Sequence, residues 1–164
     1  EEFRNHFIDM MKNREIVKKY IAISSGSTLG SFEINEPLGR DKKNRTKIAI
    51  RDDGKEALTF VKLLENFGGY CLLDILIKTG RTHQIRVHLA SKKLPIIGDG
   101  TYNPRKIISK DTSNELVDII RSFPRQALHA HQISFLSKNK KDMISYEAPI
   151  PRDMQNLIEN LKKL

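Results

Sequence analysis

Residues 70–78 read YCLLDILIK, an apolar run interrupted by Asp74 and ended by Lys78. A strand with one face in water alternates apolar and polar residues, so a nearly continuous run belongs in the middle of a sheet, with strands on both sides. It is also far too short to cross a bilayer. The run ALTFVKLLE (57–65) precedes it across NFGG, which spells a tight hairpin. The chain is therefore committed to a sheet built around this pair.

The other segments extend that sheet and cover it. IVKKYIAIS (16–24) is rich in β-branched residues and ends at the turn SGSTLGS; SFEI (31–34) and KIAIR (47–51) are shorter strands. ALHAHQISFL (127–136) and MISYEA (143–148) form a second hairpin across SKNKKD, and NEPLGRDKKNRT (35–46) reads as a polar loop. Residues 1–12 place Phe3, Phe7, Ile8, Met10 and Met11 at helical spacing. HQIRVHLASKK continues as a helix with Thr82 at its N-cap position. DTSNELVDIIRSF carries the capping-box pair Thr112 and Glu115, and a last helix carries Leu157, Ile158 and Leu161. Hairpins with short connections dominate, and there is neither a repeat nor a linker. The expectation is an α+β fold, one mainly antiparallel mixed sheet with flanking helices, and no second domain.

Charge narrows the partners. Twenty-nine Lys and Arg against 20 Asp and Glu give a net +9, which suits a polyanion: nucleic acid first, an acidic membrane surface second. Seven of those cations, against three aspartates, crowd into 39–55, GRDKKNRTKIAIRDDGK, either a solvated strand edge or an arm for phosphates. Cys71 is the only cysteine, so there is no disulfide framework, and its strand setting makes it a small apolar residue rather than a nucleophile. EEFRNHFIDMMK lacks the continuous apolar stretch of a signal peptide. An intracellular setting fits, with cytoplasm and organelle both open.

Directly after the central run comes TGRTHQIRVHLA (79–90): two arginines, two histidines and a glutamine where a strand ends and a helix begins. So many donors are costly to bury unless they meet an anion, a base or a carboxylate. A guanidinium at a helix N-terminus holds a carboxylate or phosphate through paired hydrogen bonds, although Arg81 and Arg86 taken alone also suit structural salt bridges. His83 and His88 are five apart and share no helix face; with no HExxH and no cysteine pair, a metal site has little support. GxSxG, P-loop and GxGxxG patterns are absent.

IKTGRTHQIRVHLASKKLPIIGDGTY resembles the signature of the RluA/RluD-type RNA pseudouridine synthases. REIVKKYIAISSG resembles the family's K-x-Y-x-A segment, KEALTFVKLLE the strand ahead of the signature, and RQALHAHQISF with YEAPIPRDM its closing segments. The resemblance runs from about residue 3 to 155 in the family's order. It implies the pseudouridine synthase catalytic fold, conversion of uridine to pseudouridine in structured RNA (ribosomal or transfer), and no cofactor or metal. It implies that Arg86 pairs with and orients the catalytic aspartate, and that Tyr20 packs against the target base. Ile85 lines the pocket; Arg81, Thr82, His83 and Gln84 shape the turn and contact RNA backbone; Asp99 and Tyr102 close the loop behind the helix. The target uridine has to leave its helix, and an aromatic face beside an apolar neighbour is what a flipped base needs.

The family's catalytic aspartate lies in a His-Arg-Leu-Asp segment upstream of the tyrosine, and this sequence has none. The expectation is that residues 1–164 are the C-terminal part of a single catalytic domain, incomplete on its N-terminal side, inactive alone, and prone to dimerise or swap through exposed sheet edges. Departures such as Asn103 after Tyr102 touch loop geometry only. Two other readings are a non-catalytic RNA-binding module on the same scaffold and a partner-binding domain with no RNA role.

Overall fold

A computed structural model describes residues 2–13, 15–137 and 142–164. Its elements are α1 (Glu2–Lys12), β1 (Val17–Ser25), β2 (Phe32–Asn35), β3 (Leu38–Arg40), β4 (Ile48–Ile50), β5 (Leu58–Asn66), β6 (Tyr70–Ile77), α2 (Gln84–Ser91), α3 (Asn114–Ser122), β7 (Leu128–Leu136), β8 (Met143–Glu147) and α4 (Arg152–Leu161). The centre of the expected 138–141 turn, and the side chains of Phe3 and Met11, lie outside the described residues.

Six strands form one sheet in the order β2-β5-β6-β1-β7-β8, and β3 and β4 form a separate hairpin. The apolar run is central, between β5 and β1. Every ladder is antiparallel, so the sheet is antiparallel throughout its described strands rather than mixed. Cys71, Leu73, Ile75 and Ile77 on β6 are buried, while Leu72, Asp74 and Leu76 on the other face are only partly covered. The main core joins Ile23, Leu73 and Ile75 of the sheet to Ile85 and Leu89 of α2, Leu116 and Ile120 of α3, and Met154, Leu157 and Leu161 of α4. Met10 and Phe7 of α1 pack with Ile16 and Phe135 in a smaller cluster, the two phenylalanine rings edge to face at 5.8 Å.

Two local expectations are corrected. The polar loop 35–46 contains β3, because Leu38 is buried with Ala57 and Val87 against α2 and pairs across to Ile50. The N-cap of α3 is Ser113, not Thr112: the Ser113 hydroxyl accepts from the Leu116 N–H, while the Thr112 hydroxyl is taken by Tyr70 Oη at 2.7 Å.

At Tyr20 the β1–β7 pairing slips by one residue. Lys19 faces Gln132 and Tyr20 faces Ala130, so the intervening His131 is left unpaired in the ladder and reaches Asp74 at 3.3 Å.

Candidate active site

Helix α2 starts one residue later than its sequence suggests. The cap is His83, held in the left-handed region at φ 55, with no side-chain capping bond of its own. Gln84, the first helical residue, fastens the turn ahead of the helix: its Oε1 accepts from the Arg81 N–H (3.1 Å) and the Thr79 hydroxyl (2.7 Å), and its Nε2 donates to Leu58 O and Thr59 Oγ1. All four amide positions are filled within the fold. Gln84 is thus a buried clamp between α2 and β5, and its expected contact with RNA is corrected on that ground.

The chain of bonds continues. Thr59 and His88 Nδ1 are 2.8 Å apart, and His88 Nε2 donates to Glu36 O at 2.9 Å. Burial, outweighing the Glu36 bond, pushes the His88 pKa down, so the ring is neutral with its proton on Nε2. This places α2 firmly on one sheet face. Tyr20 is on that same face, in register with Ile75 and two pairs along from the Lys18–Ile77–Thr59 row.

Arg86 projects from the first turn of α2 and is met by Asp99. Nε donates to Oδ2 and Nη2 to Oδ1, both at 2.7 Å, in a bidentate pair whose side chains are 13% and 0% exposed. Asp99 Oδ1 also accepts the N–H groups of Thr101 and Tyr102. Burial pulls the Asp99 pKa upward, but the bonds from Arg86, Tyr102 and Thr101 prevail and hold it below the usual carboxylate range. The Arg86 guanidinium lies 4.9 Å from the centre of the Tyr102 ring. Tyr102 Oη accepts from the Ile48 N–H at 2.9 Å and is 2.8 Å from His83 Nδ1. Burial first and the Arg86 charge second push the His83 pKa down, so His83 Nδ1 is free to accept the Tyr102 proton.

One guanidinium edge is therefore fixed and the other is not. The N–H groups of Nη1, and the second on Nη2, carry no hydrogen bond from the described residues. The carboxylate partner that the resemblance assigned to an upstream aspartate is, on the Nε edge, Asp99 of this chain. The signal was present in DGTY: an aspartate two and three residues ahead of the N–H groups it accepts makes an Asx turn.

Tyr20 is half-buried against the main core. Burial raises its pKa, so the phenol stays protonated at neutral pH. Its ring lines an open cleft of about 410 Å³ with Lys18, Ala130, Ile133, Tyr146 and Glu147. Arg86 is not in that lining, and the ring it stacks on is that of Tyr102. Ile85 is buried in the core shared with Tyr20. Thr82 is exposed, and Arg81 donates Nε–H to Glu56 O. Burial pushes the Cys71 thiol up to about 12, which removes it as a nucleophile. Among the described residues, no three His, Cys, Asp or Glu are placed to hold a metal ion.

Comparison with known proteins decides what this arrangement belongs to. Residues 1–91 match the model of the RNA pseudouridylate synthase family, more than half of the chain. The chain belongs to that family. Among its relatives, the ribosomal large subunit pseudouridine synthase D of Xanthomonas campestris is 36% identical over 156 residues, 95% of this chain and 47% of the relative. An RNA pseudouridine synthase of Bacillus subtilis, YlyB, is 38% identical over 157 residues, 95% and 48% of the two chains. This chain spans about half the length of the curated relatives it matches. The solved structure of human RNA pseudouridylate synthase domain containing 4 superposes with a TM-score of 0.76 at 21% identity, covering 99% of this chain and 68% of that one, and so shares the fold. The TGRTHQIR turn and Arg86 fall within the matched residues; Asp99 and Tyr102 lie beyond them.

Proposed function

We propose that this chain is the C-terminal part of an RNA uridine-to-pseudouridine isomerase and supplies the arginine side of its active site. The observation that carries the reading is the geometry of Arg86: a mostly buried guanidinium with one edge locked by Asp99 and the other met by none of the described residues. Such an edge is complementary to a second carboxylate and holds it ionised. That carboxylate, the family's aspartate, comes from outside these residues. Asp99 does not substitute for it, because its side chain is fully buried and its oxygens already accept four hydrogen bonds.

In the reaction the aspartate attacks the ribose or the base and the N1–C1′ bond breaks. Uracil then turns and C5 bonds to C1′, the bond to the aspartate breaks and releases its carboxylate, the C5 proton is lost and N1 gains one. Tyr20 contributes an apolar aromatic face to the extruded base, and its phenol stays neutral. The names of the relatives favour large-subunit ribosomal RNA as the substrate, and an RNA substrate places the work inside the cell. No helix among the described residues is long and apolar enough to cross a membrane.

Tritium release from ribosomal RNA transcribed with uridine labelled at C5 tests the reading. The full-length protein releases tritium and residues 1–164 alone do not. Release by the 164 residues alone contradicts the need for an outside aspartate, and no release by the full-length protein on ribosomal or transfer RNA overturns the function.

A further inference from the structure

We infer that His131 and Asp74 are positioning residues for Tyr20: together they clamp the strand bulge that sets the angle of the tyrosine ring in its cleft. This rests on the isomerase reading above and adds to it two residues that act through the ring without touching the base. It also gives a role to Asp74, the charge that interrupts the apolar run of the central strand.

The slip in the β1–β7 ladder falls at Tyr20 itself. Lys19 pairs with Gln132 and Tyr20 with Ala130, so β7 spends one residue more than β1 over this step. A bulge of this kind bends its strand, sharpens the twist and re-aims the side chains beside it. Here the segment 130–132 lines the same cleft as Tyr20. Ala130, directly opposite Tyr20, brings only a methyl group, which is too small to wedge a ring in place. The direction of the ring on this side therefore follows from the twist of the backbone at 19–20, not from a bulky neighbour on β7.

An extra residue in a ladder can slide to a neighbouring position unless something holds it. His131 is held through both its backbone and its ring. Its carbonyl accepts from the Ala148 N–H at 2.8 Å, which ties the bulge to the chain just beyond β8. Its Nε2 meets Asp74 Oδ1 at 3.3 Å. Asp74 is on β6, and β1 runs between β6 and β7, so this contact crosses over a whole strand. Alternation along β6 puts Asp74 on the face away from Ile75, whereas Tyr20 is the register partner of Ile75 and shares its face. The imidazole thus straps across the back of β1 behind the tyrosine, while the tyrosine ring projects from the front. The two side chains are 23% and 22% exposed, sheltered enough to hold one geometry but not buried in the core. Losing the contact loosens the bulge without unfolding the sheet.

The test is single-turnover tritium release by the full-length protein from ribosomal RNA labelled at uridine C5, with circular dichroism confirming that each variant is folded. His131→Ala should lower the maximal rate by about tenfold and leave the half-saturating RNA concentration within about twofold, the pattern of a misaimed group rather than a lost contact. His131→Gln, whose amide N–H can still reach Asp74, should recover most of the rate, and Asp74→Ala should match His131→Ala. In a Tyr20→Leu background, His131→Ala should cost less than about twofold more, because the ring it aims is gone. An unchanged rate in His131→Ala, no recovery in His131→Gln, or an equal loss with and without the Tyr20 ring overturns the inference while leaving the isomerase reading intact. No release by the unaltered full-length protein overturns both.

Discussion

Arg86 and Asp99 meet edge to edge, two hydrogen bonds of 2.7 Å joining a guanidinium on α2 to a fully buried carboxylate thirteen residues on. The carboxylate is itself pinned by two backbone N–H groups, so the loop 99–102 sets the angle at which the guanidinium leaves the helix. Lysine keeps the charge but has no second edge. Arg86→Lys in the full-length protein is therefore expected to lower turnover by about 100-fold while RNA affinity stays within a few-fold, since the loss is one of positioning. Steady-state tritium release with a parallel binding titration measures both. Unchanged turnover removes Arg86 from the site.

Asp99→Asn leaves the same guanidinium mostly buried without its counter-charge. A loss of about 3–5 kcal/mol of stability is expected, as for other broken buried pairs. Urea unfolding of the chain reports it. A loss below about 1 kcal/mol would mean that water reaches Arg86 freely.

Gly98 stands immediately before this carboxylate at φ 76, and a Cβ there would lie 1.9 Å from the Arg125 carbonyl oxygen. Both the backbone region and the space demand glycine. Gly98→Ala is expected to cost about 2–4 kcal/mol and lower the melting temperature by roughly 5–15 °C. Gly80, by contrast, has open space around its missing Cβ, and Gly80→Ala should shift the midpoint by no more than about 3 °C. Equal shifts in the two variants contradict this account of the 98–99 turn.

These positions also mark where reading the residues in order succeeds and where it stops. β6 and β5 are legible because an apolar run can be stable only in a sheet centre, and α4 because Leu157 and Leu161 recur at helical spacing. β3 is not, since Leu38-Gly39-Arg40 looks like the polar loop around it and becomes a strand only through burial of Leu38 on Val87. The choice of Ser113 over Thr112 as cap depends on Tyr70, forty-two residues from Thr112, claiming the threonine hydroxyl. Arg86 is read from the resemblance as the partner of an upstream aspartate; the carboxylate it meets on its Nε edge is Asp99, set by the path of a loop, which residue spacing does not encode.

Tyr20 separates ring from hydroxyl. Its ring is half-buried beside the cleft, and burial keeps its phenol protonated, so no chemistry at neutral pH draws on a phenolate. Tyr20→Phe in the full-length protein is expected to keep turnover within a few-fold. Tyr20→Leu should lose about 5- to 150-fold, the effect of about 1–3 kcal/mol of base stacking. A Phe variant as impaired as the Leu variant shows that the hydroxyl, not the face, is what the reaction uses.

His88 makes stability depend on pH in the range where imidazole titrates. Its ring is fully buried and neutral, with Nε2–H donating to Glu36 O and Nδ1 accepting from Thr59, so a second proton would place an unpaired charge in the core. The folded pKa is depressed by burial, whereas in the unfolded chain it returns to about 6.5. Below that value the unfolded chain takes up a proton that the folded chain refuses, and stability falls as pH falls. His83, depressed by burial and by Arg86, acts in the same direction. The stability measured by urea unfolding is therefore expected to drop between pH 7.5 and 5.5, by up to about 1.4 kcal/mol per pH unit for His88 at the lower end, with a smaller share from the more exposed His83. In His88→Gln the pH slope should be visibly shallower, whatever the variant's absolute stability. A slope identical to that of the unaltered chain would place the pH dependence elsewhere.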